Sequence, residues 1–418
     1  MNTPHRCALR IGLLMHSLNP RGGVVHTLEL ADALEALGHD VTVIAAGRPG
    51  QSLFRSTRAR LSVAPLGDLP QGLVPMVGAR MQAVARHLKQ LDLCHFDILH
   101  SQDSITANAL ADLQDDGLIP GFLRTVHHLD AFDEPQLTAW QARGVREARE
   151  LLCVSALWQH TLAQDWGLAA HRVCNGVNLQ RHQADISAAQ RQADAQVLQS
   201  LGLADGEPFW LSVGGVEARK NTTRLLEAFA MLMPAVPSAR LVIVGGASLL
   251  EHAQAQTEFE AVRRAHGMAP GQPHADRLVL TGPVPDGVLP ALYRCATALA
   301  MPSVKEGFGL VAIEAMACGT PAIVSRIAPF TEHLLPHEAF WVDPWDVHDI
   351  ANALRLTLYP KQREARARIA RQVATRFDWH ACAQQHLTLY EASLAKPARP
   401  SRLLTPPPLM ASSPTCHA

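Results

Sequence analysis

Apolar positions along the chain fall into two alternating rhythms. LRIGLLMH (Leu9 to His16) is a continuous apolar run of strand length, followed by the loop SLNPRGG. VVHTLELADALEALGH then sets Val25, Leu28, Leu34 and Leu37 at helical spacing, with Gly38 as a stop, and DVTVIAA supplies a second apolar run. Strand, amphipathic helix and strand in that order predict a β-α-β unit with buried parallel strands. The rhythm continues through FDILHSQD around His100, FLRTVHHLD around His127 and LLCVSALW around Ser155, and closes near CNGVNLQRH. Residues 183–206 are polar and rich in Ala and Gln, and read as a helix plus connector. A second series follows: PFWLSVGG, the helical TTRLLEAFAMLM, RLVIVGG, RLVLTG, TALAMPS and PAIVS. Two such series predict an α/β protein of two doubly wound, Rossmann-like domains, spanning 1–182 and 207–376, whose strand ends face each other across a cleft. Beyond Pro344 the pattern is helical, and Trp379 opens a segment, 377–395, placed to cross back to the first domain. The Pro/Ser-rich tail 396–418 is expected to be disordered.

Composition supports this reading and narrows it. At 418 residues and 48% apolar content, the chain has the material for two cores of roughly 150 to 200 residues each. A formal net charge of −1 gives no drive toward nucleic acid or an anionic membrane. The eight cysteines are scattered without a C-x-x-C pair and read as small core residues of a reducing compartment. The opening apolar run is too short for a signal sequence, and no segment approaches the roughly 20 apolar residues of a membrane span. A cytoplasmic location is expected.

The run KEGFGLVAIEAMACGTPAIVS (Lys305 to Ser325) carries the most chemistry. The pattern predicts a helix from near Leu310 to Gly319, where glycine and Pro321 end it. A Gly-Phe-Gly turn (Gly307, Phe308, Gly309) feeding a helix start presents unpaired N–H groups and a dipole suited to phosphate. Glu306 and Glu314 flank that start. Glu314 lies in an almost wholly apolar helix, where an unpartnered carboxylate is costly and a ligand's hydroxyls would compensate it. Phosphate with hydroxyls on both sides describes a nucleotide sugar.

With RGGVVHTLELADALEALGHDVTV, TVHH, NGV, VGGVEARKN, TGPVPDGVLPALYRCA and the run above, the chain resembles the retaining glycosyltransferases of family 4, which have the GT-B fold. The resemblance covers residues 9–395. It implies sugar transfer from a nucleotide diphosphate donor, with retained configuration, to an acceptor held by the N-terminal domain. It also implies a last helix crossing back to that domain. Glu306 is similar to the family glutamate beside the donor sugar, Glu314 to the one that binds ribose, and Lys220 to the lysine on the pyrophosphate. His127 is similar to the histidine close to the donor sugar. N–H groups of Phe308, Gly309 and Leu310 would face sugar or phosphate oxygens, Gly22 and Gly23 resemble the glycine loop, and backbone around Gly282 and Pro283 would read the base. Many relatives carry a second cation where this chain has Gly215. Arg219 either replaces it from a shifted position or is a surface arginine.

No D-x-D pair stands ready for a divalent metal, so Lys220 and helix starts are expected to serve instead, with no cofactor. His16, Ser155 and Asn175 are weaker candidates at strand ends. The arginines of GRPGQSLFRSTRAR (Arg48, Arg55, Arg58 and Arg60) are either an anionic-acceptor site or a solvated loop. MVGARMQAVARHLKQL either packs on the N-terminal sheet or rests on a membrane, so membrane contact is peripheral at most. The donor is expected to be a UDP- or GDP-sugar, and the sequence does not name the acceptor. Alternatives are a nucleotide-sugar epimerase or phosphorylase of similar architecture, and an inactive sugar-nucleotide-binding subunit.

Overall fold

The computed structural model describes residues 8–204, 206–246 and 253–397; most of the tail expected to be disordered lies outside them. Two parallel sheets organise the chain. The first runs β3-β2-β1-β4-β5-β6-β7, built from β1 (Arg10–Met15), β2 (Asp40–Gly47), β3 (Arg60–Pro65), β4 (Ile98–Ser101), β5 (Leu123–Val126), β6 (Glu150–Cys153) and β7 (His171–Arg172). The second runs β10-β9-β8-β11-β12-β13, from β8 (Phe209–Val213), β9 (Arg240–Val244), β10 (Leu278–Gly282), β11 (Ala298–Met301), β12 (Ala322–Ser325) and β13 (Phe340–Val342). Strand order reverses between β1 and β4 in one sheet and between β8 and β11 in the other. Those reversals open crevices at the strand C-termini, the ligand positions of open α/β sheets.

The central strands are apolar on both faces because helices cover both. Ile11, Leu13 and Leu14 of β1 and Trp210 and Leu211 of β8 are fully buried. The helix Gly22–Ala36 begins at the glycines themselves rather than after them, so Gly22 and Gly23 form its first turn. The basic helix Leu73–Leu88 lays Met81, Val84, Ala85 and Leu88 onto the first lobe, packing on β3 and the helix Ser104–Asp115. Its apolar face is therefore used in the core. The expected connector helix, Ala188–Ser200, docks on the second lobe through Asp194, whose oxygens accept from Arg294 Nε at 2.6 Å and Nη2 at 2.8 Å.

The last helix, Trp379–Leu394, returns to the first lobe. Asp378 caps it by accepting from the N–H groups of His380 and Ala381. Its Trp379, Cys382, Leu387 and Tyr390 join the core that contains Leu13, Leu28 and Val43. Outgoing and returning chains touch where Val177 N–H donates to Phe377 O at 3.2 Å. Among the described residues no helix is long and apolar enough to cross a membrane.

Candidate functional site

Two loops meet at the second sheet's reversal. After β8 the chain enters a short turn, Ala218–Lys220, and Asn221 adopts a left-handed conformation (φ 58°) that a short polar side chain tolerates. Asn221 Nδ2 donates to Pro302 O (2.9 Å) and Pro344 O (2.6 Å), and Val304 N–H donates to Arg219 O (2.9 Å). The loops after β8 and β11 are thereby fixed to each other. The result is a buried ion pair across the crevice, with Lys220 Nζ donating to Glu306 Oε1 at 2.7 Å. Burial alone would raise the Glu306 carboxyl, yet Lys220 and Arg219 outweigh it and hold the group below its ordinary range. Burial lowers the Lys220 ammonium despite Glu306 beside it. The Glu306 carboxyl is therefore ionised at neutral pH.

Arg219 belongs to the same cluster. Its guanidinium lies 3.0 Å from Glu217 and 3.7 Å from Glu306, so it is not a solvated surface arginine. From the first lobe, Arg21 Nη1 reaches to 3.8 Å from Glu217 and donates to Gly246 O at 3.2 Å. Neither Arg21 nor Glu217 was foreseen from the sequence. The only signals were an arginine beside the paired glycines and an acid two places before Arg219.

His127 joins the lobes. It follows β5, and its Nε2 meets Gln102 Oε1 at 3.0 Å. A Cβ added to Gly307 would stand 2.3 Å from the His127 carbonyl oxygen, and one on Gly23 would stand 3.5 Å from the His127 ring. The glycine turn of one lobe and the glycine-led helix of the other thus close on a single residue. Burial, then His128 and Arg124, push the His127 imidazole down to about 3, so it is neutral at physiological pH. His128 points elsewhere and meets Asp130 at 3.3 Å.

The helix Leu310–Ala317 starts as expected. Gly309 takes φ 91°, and any side chain there would strike the Phe330 ring, 2.5 Å from its ideal Cβ. No side chain caps that helix start, nor the start at Gly22. Both leave N–H groups at the cleft without intrahelical acceptors. The Phe308 ring turns inward between His333 and Phe377, so only its backbone is available. Glu314 corrects one expectation. It is buried but not unpartnered, because Tyr293 Oη donates to Glu314 Oε2 at 2.9 Å. Burial raises the Glu314 carboxyl in spite of that bond. Gly282 lines a cavity of ≈ 280 Å³ with Gly215, Gly245, Phe259 and Leu280.

Other candidates have structural roles. Ser155 caps the helix Ala156–Trp166, and Asn175 Oδ1 meets the buried His26 Nδ1 at 2.8 Å. The four loop arginines do not form one site. Arg55 makes a buried pair with Glu29 at 2.8 Å, Arg60 pairs with Asp40, and Arg58 and Arg48 are exposed. His16 lies 3.4 Å from Asp103 at the end of β1.

Comparison with known proteins agrees with this fold. The family described as Glycosyl transferases group 1 matches residues 194–375, and Glycosyltransferase Family 4 matches residues 20–181. A D-inositol 3-phosphate glycosyltransferase of Geodermatophilus obscurus is 27% identical over 395 residues, covering 90% of this chain and 83% of its own. The sucrose-phosphate synthase of Thermosynechococcus elongatus shares the fold with a TM-score of 0.74 at 22% identity, over 93% of this chain and 99% of that one. Anabaena HepE, crystallised with UDP-glucose, superposes with a TM-score of 0.71 at 19% identity, over 92% of this chain and 100% of that one.

Proposed function

The chain belongs to the family 4, group 1 glycosyltransferases of GT-B fold, and from that premise we propose that it moves a sugar, with retention, from a UDP- or GDP-sugar to a phosphate-bearing polyol. One observation carries the donor reading: the buried Lys220–Glu306 pair spans the crevice between β8 and β11, beside the Gly307 that abuts the His127 carbonyl. Negative charge grows on the diphosphate as its bond to the sugar breaks, and a preplaced ammonium with two uncapped helix starts lowers that barrier. This set of donors needs no metal. Glu306 would hold the sugar, and His127, neutral, would share a hydrogen bond with one of its hydroxyls. Glu314 would accept from the ribose while keeping Tyr293 on its other side. The base would enter the cavity lined by Gly282.

The acceptor reading rests on the first lobe. Arg80 Nη1 donates to His16 O at 3.2 Å, and its guanidinium is pushed down by burial and by Arg48 nearby. Two neighbouring guanidiniums at the mouth of that lobe suit an acceptor phosphate. Several relatives are named for a phosphorylated inositol. In the reaction the acceptor hydroxyl oxygen attacks the anomeric carbon from the face the diphosphate leaves. The anomeric C–O bond breaks with its electrons going to the diphosphate, which takes the hydroxyl proton.

The test is a donor screen with UDP- and GDP-sugars, with and without inositol phosphates, in the presence of EDTA. Expected are slow release of nucleoside diphosphate alone, faster release with acceptor, and a product whose anomeric NMR coupling matches the donor. An inverted product, an isomerised free donor, or a strict metal requirement would overturn the reading.

A further inference from the structure

A diphosphate brings at least two negative charges, and the second lobe alone does not match them. Lys220 and Arg219 provide two cations, but Glu306 and Glu217 stand against them at 2.7 and 3.0 Å. Those four groups sum to zero. A further positive charge comes from Arg21, on the loop before the helix Gly22–Ala36 of the other lobe.

Its placement is specific. Arg21 Nη1 donates to Gly246 O at 3.2 Å, just beyond β9. The same carbonyl lies 2.9 Å from where a Cβ on Gly215 would stand, just beyond β8. The guanidinium therefore lies over paired turns, Gly214–Gly215 and Gly245–Gly246, that hold no side chain to obstruct it. Gly214, Gly215 and Gly245 all take positive φ (131°, 76° and 118°), a conformation that keeps those turns glycine. Glu217, only 2% exposed, lies within 3.8 Å of Arg21 and 3.0 Å of Arg219, and holds the two guanidiniums on one side of the cleft. Burial and the nearby Arg219 both weaken the charged state of Arg21. An anion arriving between them relieves both penalties.

We propose that Arg21 is the second diphosphate-binding cation of this enzyme, supplied across the cleft from the N-terminal lobe. The donor's phosphates then complete their cation set only when the lobes are together, so binding and closure are coupled. This inference rests on the nucleotide-sugar reading above.

Calorimetric titration of the full chain with UDP, GDP, UMP and GMP tests it, using wild type, Arg21→Ala and Arg21→Lys. Arg21→Ala is expected to weaken the preferred diphosphate roughly ten- to hundredfold, the size of one charge-assisted hydrogen bond, and to weaken the matching monophosphate far less. Arg21→Lys should recover a substantial part, and both variants should unfold at the wild-type urea midpoint. Equal losses for mono- and diphosphate would make Arg21 only a tie between the lobes and overturn the proposal. Unchanged diphosphate affinity in Arg21→Ala would overturn it as well. A wild type that binds no nucleoside diphosphate would instead refute the donor reading itself, and the inference with it.

Discussion

Replacing Lys220 with Met removes one half of a buried pair and strands the other. Side-chain exposures of 10% and 6% leave little water to solvate Glu306 once its partner is gone. Breaking such a pair from one side costs about 3–5 kcal/mol. Arg219, 3.7 Å from Glu306, takes over part of the attraction, so a loss near the lower figure is expected. Adding Glu306→Gln removes the stranded charge, and the double variant should regain most of the stability, since a pair replaced by neutral groups of similar volume is close to neutral. Activity should not follow. Without the ammonium, the developing phosphate charge loses its main donor, and transfer should fall about 10²–10³-fold in the single variant and no less in the double. Urea unfolding followed by tryptophan fluorescence reads the first effect, and release of nucleoside diphosphate reads the second. The reasoning fails if Lys220→Met leaves the unfolding midpoint in place, or if the double variant recovers turnover together with stability.

Acid should unfold the protein well above the carboxylate range. His26, His100, His182 and His386 are buried and held neutral chiefly by desolvation, with His386 down to about 4 and His182 to about 3. Below pH ~6.5 the unfolded chain takes up protons that the folded one refuses, so stability present above that pH is lost as pH falls toward 4, by on the order of 5 kcal/mol for four groups at pH 5.5. Urea midpoints at pH 7.5 and 5.5 check this, and equal midpoints would contradict it. Gly307→Ala would put a methyl 2.3 Å from the His127 carbonyl, a backbone atom that does not swing aside. Transfer should drop about 10²-fold through misplacement of the lobes. Full activity in that variant would show that the two lobes do not meet there during turnover.

Strand and helix order was legible because buried parallel strands and amphipathic helices leave different spacings. The strands missed were β3, β7 and β13. The first has a short alternation, Leu61 and Val63, hidden behind an arginine-rich segment, and the other two are only two and three residues long, too short for a period. The start of the helix at Leu310 was readable from Gly309 and the end from Gly319. The partner of Glu314 was not, because Tyr293 lies 21 residues earlier on a different helix. The same limit hid Arg21. A cation that acts from one lobe upon the other leaves no local spacing, and only the closed arrangement brings it to Glu217. His127 and Lys220 are legible through motif resemblance, and Glu306 also through its place before the Gly-Phe-Gly turn, none of them through periodicity. What the structure adds is the contact of Gly307 with His127 and the 2.7 Å bond between the other two.

Other interlobe ties support the same closed arrangement. Glu332 accepts from the N–H groups of Ala156 and Leu157 at 2.7 and 2.8 Å, capping a first-lobe helix with a second-lobe carboxylate. Lys305 Nζ donates to Leu129 O at 2.6 Å and lies over the Trp158 ring. These contacts flank the cleft that the donor would occupy.

The central claim is that an activated sugar nucleotide is held at the Lys220–Glu306 pair, where Gly307 abuts His127. A crystal structure of the full chain with the nucleoside diphosphate it binds best tests that most directly. The account predicts phosphate oxygens within hydrogen-bond reach of Lys220 Nζ and the Leu310 N–H, with the ribose at Glu314. Density for the nucleotide anywhere outside the cleft, or in the cleft but turned away from Lys220, would contradict it.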